Sequence, residues 1–199
     1  MTEKKYVSRS AAKLLGALDA FSVSVTDRVC VDLGAAHGGF TQVLLERGAR
    51  RVYTFDVAYG MLDWKLRNDP RVVVRERTNV RNLSREHFLP EDLNEPDGFF
   101  VTCDISFMSL RTVLRSVREF GQTTGLKIDG IFLLKPQFEA SKKTEKGILK
   151  DQQIVLEIVQ EMLKHCNETG WETVGCEPSV LKGAGGNQEY VLYLKLPNP

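Results

Sequence analysis

No apolar run in these 199 residues approaches the roughly 20 needed to cross a bilayer. A membrane-spanning helix is therefore not expected. The start, Met1-Thr-Glu-Lys-Lys-Tyr6, leads into no apolar core, so a secretory signal is not expected either. The four cysteines, Cys30, Cys103, Cys166 and Cys176, form no Cys-x-x-Cys pair. They read as small buried apolar residues of a reducing cytoplasm, not as a zinc or disulfide framework. His37, His87 and His165 are scattered, and no His/Cys/acid group has metal-ligand spacing, so no metal is expected. A net charge of +1 gives no strong global attraction for nucleic acid. Two phosphate-binding fingerprints are also missing. Gly-x-Gly-x-x-Gly from Gly34 needs a second glycine where Ala36 stands, and there is no Gly-Lys-Ser/Thr.

What is present is organised around Val29-Cys-Val-Asp-Leu-Gly-Ala-Ala-His-Gly-Gly-Phe40. A β-branched run ends near an acid, Asp32. A small-residue turn follows, and then the apolar spacing Phe40, Val43, Leu44 of a helix start. Such a turn lets the backbone approach a ligand closely. In this class the compatible ligand without phosphates is S-adenosylmethionine, which needs a compact turn at its methionine end and an acid for its ribose. The competing interpretation is an ordinary strand-to-helix turn.

Along the chain, strands are expected at about 28–33, 51–57, 72–75, 98–104, 130–134, 171–177 and 189–196. Helices are expected at about 8–20, 39–48, 61–67, 151–168 and around Leu110–Val117. Residues 82–97 read as a polar surface stretch with a short helix, and 137–149 as a long lysine-rich loop. Alternation of helices with near-continuous apolar strands predicts an α/β fold. Its sheet is doubly wound, seven-stranded and mainly parallel, and the last two strands pair antiparallel. One domain over 1–199 is expected.

In such sheets ligands bind outside the carboxyl ends of the strands. Asp32, Asp56, Asp104 and Lys135 fall at or beside those ends. A charge closing an apolar run is costly without a partner or ligand. Local basic density adds a second theme. Lys4, Lys5, Arg9 and Lys13 crowd the start, and Lys142, Lys143, Lys146 and Lys150 crowd a later loop.

Eight segments, in this order, resemble the TlyA family: Tyr6-Val-Ser-Arg-Ser-Ala-Ala-Lys-Leu14, Asp32-Leu-Gly-Ala-Ala-His-Gly-Gly-Phe40, Asp56-Val-Ala-Tyr-Gly60, Arg77-Thr-Asn-Val-Arg81, Asp104-Ile-Ser-Phe107, Leu134-Lys-Pro-Gln-Phe-Glu139, Lys146-Gly-Ile-Leu-Lys-Asp151 and Lys182-Gly-Ala-Gly-Gly-Asn-Gln-Glu-Tyr190. Members of that family are FtsJ-like ribosomal RNA ribose 2′-O-methyltransferases using S-adenosylmethionine, some of which carry the name hemolysin. The resemblance implies a Lys-Asp-Lys-Glu tetrad at Lys13, Asp104, Lys135 and Glu189. A ribose hydroxyl must lose its proton as it attacks a sulfonium methyl. Lys135 is expected to accept that proton, with its pKa lowered by burial and by Lys13.

The cofactor is expected along Asp32, Gly34, Ala35, Gly38, Gly39 and Phe40, with Asp56 at its ribose, Asn79 near its adenine and Asp104 near its amino end. The RNA face is expected to comprise Lys4, Lys5, Arg9, Lys142, Lys143, Lys146 and Lys182. Three departures from the family pattern stand out. Ala36 and His37 replace the usual hydroxyl pair, with His37 expected either to reshape the methionine pocket or to face solvent. Ala58 replaces a usual glycine and is expected to narrow the adenine side. The family's small N-terminal RNA-binding domain is not in this chain, which is read as either a short form or a fragment. Two rival functions remain on the sequence alone: a non-catalytic RNA- or ribosome-binding module on the same fold, and a membrane-active hemolysin.

Overall fold

The apolar runs pair into one sheet. The computed structural model describes residues 5–140 and 144–197. Seven strands, β1 (Val29–Leu33), β2 (Arg51–Phe55), β3 (Val72–Arg75), β4 (Phe99–Cys103), β5 (Ile128–Leu134), β6 (Glu172–Pro178) and β7 (Tyr190–Leu196), lie in the order β3-β2-β1-β4-β5-β7-β6. The first five are parallel. β7 runs antiparallel to both β5 and β6. The helices are α1 (Ala11–Ala20), α2 (Gly39–Glu46), α3 (Trp64–Arg67), α4 (Leu110–Thr124), α5 (Pro136–Glu139) and α6 (Gln152–Glu168).

Two hydrophobic layers explain why the central strands are apolar on both faces. One side of the sheet packs with α4 and α6 through Val113, Val117, Val159 and Met162. The other packs with α1, α2 and α3 through Leu14, Leu18, Val43, Leu44 and Leu66. All five residues of β1 and of β4 are buried. The chain steps outward from β1 to β3 and then returns to β4 on the other side of β1. That reversal between β1 and β4 opens a crevice at the carboxyl edge.

Strand register sets what meets there. Leu33 is level with Phe55 and with Cys103. The next residues, Gly34, Asp56 and Asp104, therefore leave the sheet side by side. Leu134 is level with Tyr190 in the antiparallel pair, which sets Lys135 beside Glu189. The reversed strand thus brings a residue from its start, rather than its end, to the carboxyl edge.

Observed boundaries fall within about three residues of the expected ones, except that α4 runs on past Val117 to Thr124. Two readings are corrected. The stretch expected to be loop from 137 onward begins with the helical turn α5, whose first residue Pro136 is preset for that position. Residues 82–97 follow a 3₁₀ turn at Val80–Asn82 and form two more, Arg85–His87 and Asp92–Asn94, and the stretch enters the core rather than winding over the surface. Phe88 packs its ring 4.7 Å from Tyr53, 5.1 Å from Phe99 and 4.9 Å from Phe120. Asp92 is buried and accepts 2.6 Å bonds from Arg51 Nη1 and Tyr53 Oη. Single apolar residues between Pro90 and Pro96 carry no periodicity, so pattern alone does not flag them. Three of the four free thiols are buried and Cys176 is half-buried. Burial pushes the Cys103 thiol up to about 12, so it stays protonated and inert.

Phe88→Ala is expected to destabilise the protein by about 3–5 kcal/mol, the usual cost of emptying a buried phenylalanine site. Urea unfolding followed by circular dichroism measures it. A loss below about 1 kcal/mol would mean that this segment does not belong to the core.

Candidate active site

Two cavities open at the carboxyl edge, and they share a wall. The first, about 270 Å³, lies over β1, β2 and β4. Leu33, Phe55, Val57, Val80, Ile105 and Met108 supply apolar walls, and Asp56, Thr78, Asn79, Asp104 and Ser106 supply polar points. The second, about 260 Å³, lies between α1, the start of α5 and the loop before β7. Lys13, Asp104, Ser106, Lys135, Gln137 and Glu189 line it together with Ser8, Arg9 and Ser10. Gly34, Ala36, Asp104 and Ser106 belong to both.

The second cavity holds a buried charge cluster. Lys13 Nζ lies 2.6 Å from Glu189 Oε2 and 3.7 Å from Asp104 Oδ2. Lys135 Nζ lies 2.7 Å from Asp104 Oδ1. It also donates to the Asp104 carbonyl at 3.1 Å and to Ser106 Oγ at 2.9 Å. Lys13, Lys135 and Glu189 are 7%, 6% and 2% exposed, so these charges have little water to solvate them. Two amines and two carboxylates cancel, which is the condition for burying them at all. Four elements deliver them: α1 carries Lys13, the end of β4 carries Asp104, the end of β5 carries Lys135, and the turn into β7 carries Glu189.

Local structure fixes each one. Asp104 N donates to Leu33 O at 3.0 Å, tying the β4 end to β1. Lys135 is the cap of α5. Glu139 then clamps α5 onto α4 by accepting from Ser109 Oγ at 2.7 Å and Leu110 N at 2.6 Å. Gly183 makes room for the Glu189 carboxylate, because a Cβ there would stand 2.0 Å from Glu189 Oε1. The sequence thus needs a glycine in the turn of residues 182–188 for a packing reason.

In the first cavity, Asp56 is pre-aimed. Ala36 N donates to its Oδ2 and Ala58 N to its Oδ1, both at 2.8 Å. A carboxylate accepts about four hydrogen bonds, so acceptor capacity remains for a diol. Asn79 Oδ1 caps a 3₁₀ turn by accepting from Arg81 N at 3.0 Å, which leaves its amide nitrogen as a donor. An apolar slot with a diol acceptor at one end suits a nucleoside. Two buried atoms, Asp104 Oδ1 and Gln137 Oε1, have no hydrogen-bond partner among the described residues. The Lys135 contact to Asp104 Oδ1 is an ion pair without hydrogen-bond geometry. Such atoms carry an unmet cost that a bound polar group relieves.

Several sequence expectations are revised. Asp32 is fully buried and lines neither cavity. It lies inside β1, one residue short of the strand end, where Thr41 Oγ1 donates to it at 2.6 Å and Thr102 Oγ1 at 3.1 Å. It braces β1, β4 and α2. Gly38 and Gly39 also line neither cavity. A Cβ on Gly38, which has φ +93°, would strike Leu66 and Leu62, and one on Gly39 would strike Ser10 Oγ, so both serve helix packing. Ala35 and Phe40 border the charge cluster rather than the nucleoside-shaped slot. His37 is exposed and lines neither cavity. Ala58 does not border the slot; its neighbour Val57 does.

Of the expected RNA face, Arg9 borders the second cavity, whereas Lys5, Lys146 and Lys182 are exposed away from its lining. Lys4, Lys142 and Lys143 lie outside the described residues. Sequence reasoning assigned no role to Ser106 or Gln137, although both stand inside segments singled out there, two residues after Asp104 and Lys135. Neither the described histidines, cysteines and acids group in threes for a metal, nor is any described helix long and apolar enough to cross a membrane.

The FtsJ-like methyltransferase family model matches residues 6–196. The chain is 44% identical over 196 residues to the 16S/23S rRNA (cytidine-2′-O)-methyltransferase TlyA of Mycobacterium tuberculosis, covering 98% of this chain and 70% of that protein. A solved structure of a Lactococcus lactis protein that carries the name hemolysin superposes with a TM-score of 0.87 at 35% identity, covering 97% of this chain and 89% of that one. A solved S-adenosylmethionine-dependent methyltransferase from Mesorhizobium loti shares the fold, with a TM-score of 0.62 at 14% identity over 92% of this chain and 98% of that one.

The buried acid in β1 generates a test of pH dependence. Burial, offset in part by the two threonine hydroxyls, pushes the Asp32 carboxyl up to about 6. A folded-state value above the unfolded one means that the native state holds the proton more tightly. The stability contributed by this group therefore falls as pH rises through about 4 to 6. The stability of wild type minus that of Asp32→Asn is expected to drop by about 2 kcal/mol from pH 4 to pH 7. Urea melts of both proteins across that range measure it, and a flat difference would contradict the assignment.

Proposed function

The chain belongs to the FtsJ-like methyltransferase family, and on that premise we propose that it methylates a ribose 2′-hydroxyl of ribosomal RNA with S-adenosylmethionine. The observation that carries this reading is the shared wall. Asp104 and Ser106 belong at once to a nucleoside-shaped slot and to the buried Lys13–Asp104–Lys135–Glu189 cluster. One cavity suits the methyl donor, the other suits the acceptor ribose, and the two meet beside the amines. The reading treats 1–199 as one methyltransferase domain acting in the cytoplasm, where ribosomal RNA is found.

The residues then divide the work. Asp56 accepts the donor's ribose hydroxyls, Asn79 donates toward its base, and Gly34 and Ala36 follow its methionine end. When bound, S-adenosylmethionine supplies a methyl group made electrophilic by its sulfonium. Lys135 Nζ, once it has given its own proton to solvent, takes the proton of the acceptor hydroxyl. Asp104 and Ser106 aim Lys135 Nζ through the contacts described above. Lys13 sets positive charge beside the oxygen on which negative charge develops, and Glu189 holds Lys13 there. Lining up acceptor and donor supplies much of the rate.

Phe107 borders the donor slot, and its ring neighbour Phe138 borders the second cavity. Phe107 is 91% exposed, has φ +62°, and lies with its ring 5.2 Å from Phe138. A left-handed φ at a non-glycine residue costs about 1–3 kcal/mol and is typical of functional loops. An exposed ring at a cleft mouth offers a stacking face for an unstacked base.

Lys135→Ala is expected to reduce methyl transfer to ribosomal subunits by about 100- to 10,000-fold, while S-adenosylmethionine binding by calorimetry stays near wild type. Retained turnover would refute the role of Lys135. Absence of cofactor heat in the wild type would favour a non-catalytic RNA-binding module. Phe107→Ala is expected to weaken RNA binding about tenfold, the lower part of the range for one base stacked on an aromatic ring. An unchanged RNA affinity would remove the stacking role.

A further inference from the structure

A third cavity, about 180 Å³, lies on the α4/α6 side of the sheet, away from the catalytic cleft. Arg111, Arg115, Arg118, His165, Thr112 and Thr169 surround it, with buried Trp171 as a floor. The arginines occupy steps of four and three along α4 and so form one stripe. Three guanidinium groups at one place matter in a chain whose net charge is only +1.

These charges are poorly compensated. Arg111 reaches one carboxylate, Glu161 on α6, at 3.9 Å, with both side chains largely exposed. Such a pair is worth little. Arg115 is exposed and has no ion pair or side-chain hydrogen bond among the described residues. Arg118 Nη1 donates to Thr169 O at 2.8 Å, yet its Nε is buried with no partner. His165 responds to the same field. Burial first, and then the Arg111 guanidinium, hold its imidazole below the usual value, against a weaker opposite pull from Glu168 and Glu139. Retaining a buried donor without an acceptor beside two further guanidinium forks points to an oxyanion with several oxygens.

We propose that this cavity is a phosphate-binding site that takes a backbone phosphate of the RNA bound at the catalytic cleft. The RNA part rests on the function proposed above. The near end of the stripe adjoins α5, an element that borders the cleft. Arg111 lies one residue past Leu110, whose N–H is held by Glu139 of α5, and Arg118 stands about 10 Å further along the helix. A strand leaving the mouth beside Phe107 meets this stripe next. The same chemistry also fits free phosphate, and the test separates the two sources.

The test uses the full chain, Arg115→Gln, and the pair Arg111→Gln with Arg115→Gln. Neither residue bonds the backbone through its side chain, so folding is expected to persist. Unchanged S-adenosylmethionine affinity checks it. Binding of fluorescein-labelled oligouridine is followed by anisotropy across a salt series. The double variant is expected to bind about tenfold more weakly, and its log affinity is expected to fall less steeply with log salt by about 0.7 for each lost contact. In a parallel arm, millimolar inorganic phosphate is added to thermal melts. Weaker, less salt-dependent RNA binding supports the backbone-phosphate site. Unchanged RNA binding, with phosphate raising the melting temperature of wild type but not of the variants, supports a site for free phosphate and overturns the RNA assignment. No change in either arm overturns the site. If wild type itself binds no RNA, the function proposed above fails, and the phosphate arm alone decides whether the site exists.

Discussion

Two ammonium groups and two carboxylates share one nearly dry cleft, and their mutual neutralisation is the constraint on which the catalytic edge depends. Removing any one of them unbalances the buried cluster, at a stability cost of about 3–5 kcal/mol. The surrounding fold is built to prevent that. Asp104 is pinned to β1 through its own backbone, Lys135 is bound by three oxygens, and Glu189 sits where Gly183 leaves it room. The cluster is thus a structural keystone as well as chemical equipment. Its geometry comes from strand register rather than from flexible loops, which favours a site held within fractions of an ångström.

The shared wall between the two cavities gives this rigidity a purpose. In the proposed function, a donor against Asp56 and an acceptor against Lys13 and Lys135 meet past Asp104 and Ser106, which line both cavities. Only small residues, Gly34 and Ala36, stand at that junction besides these two. Bulk there would separate the reactants, and misplacement by about an ångström costs roughly a hundredfold in rate. Below this junction Asp32 sits inside the sheet with two threonine hydroxyls. It holds β1, β4 and α2 in register and so maintains the floor on which the donor rests.

Much of this was legible in the amino-acid order, for identifiable reasons. Strand alternation with helices, and the short last connection, specified the mainly parallel sheet with its reversed strand. Charges closing apolar runs pointed at Asp56, Asp104 and Lys135. Glu189 and Lys13 were reachable only through family motifs, since 176 positions separate them and no periodicity links them. Asp32 misled because a buried acid satisfied by hydroxyls looks, in one dimension, like an acid at a strand end. Gly38 and Gly39 misled because glycine that makes room for leucine looks like glycine that makes room for a ligand. Phe88 and Ser106 were hidden for a related reason: a lone residue in an irregular segment reveals its role only when its neighbours in space are known.

The reversed last strand has a consequence for biosynthesis. During translation from the amino end, Lys13 emerges early, but its carboxylate partner arrives only just before β7. Until then Lys13 lacks its nearer counter-charge, with Asp104 alone at 3.7 Å, and β5 lacks a neighbour on its outer side. A nascent or prematurely terminated polypeptide ending before Glu189 therefore holds a sheet with an open edge and an incomplete catalytic group. The buried charge cluster therefore closes only when nearly the whole described chain has been made and threaded into place.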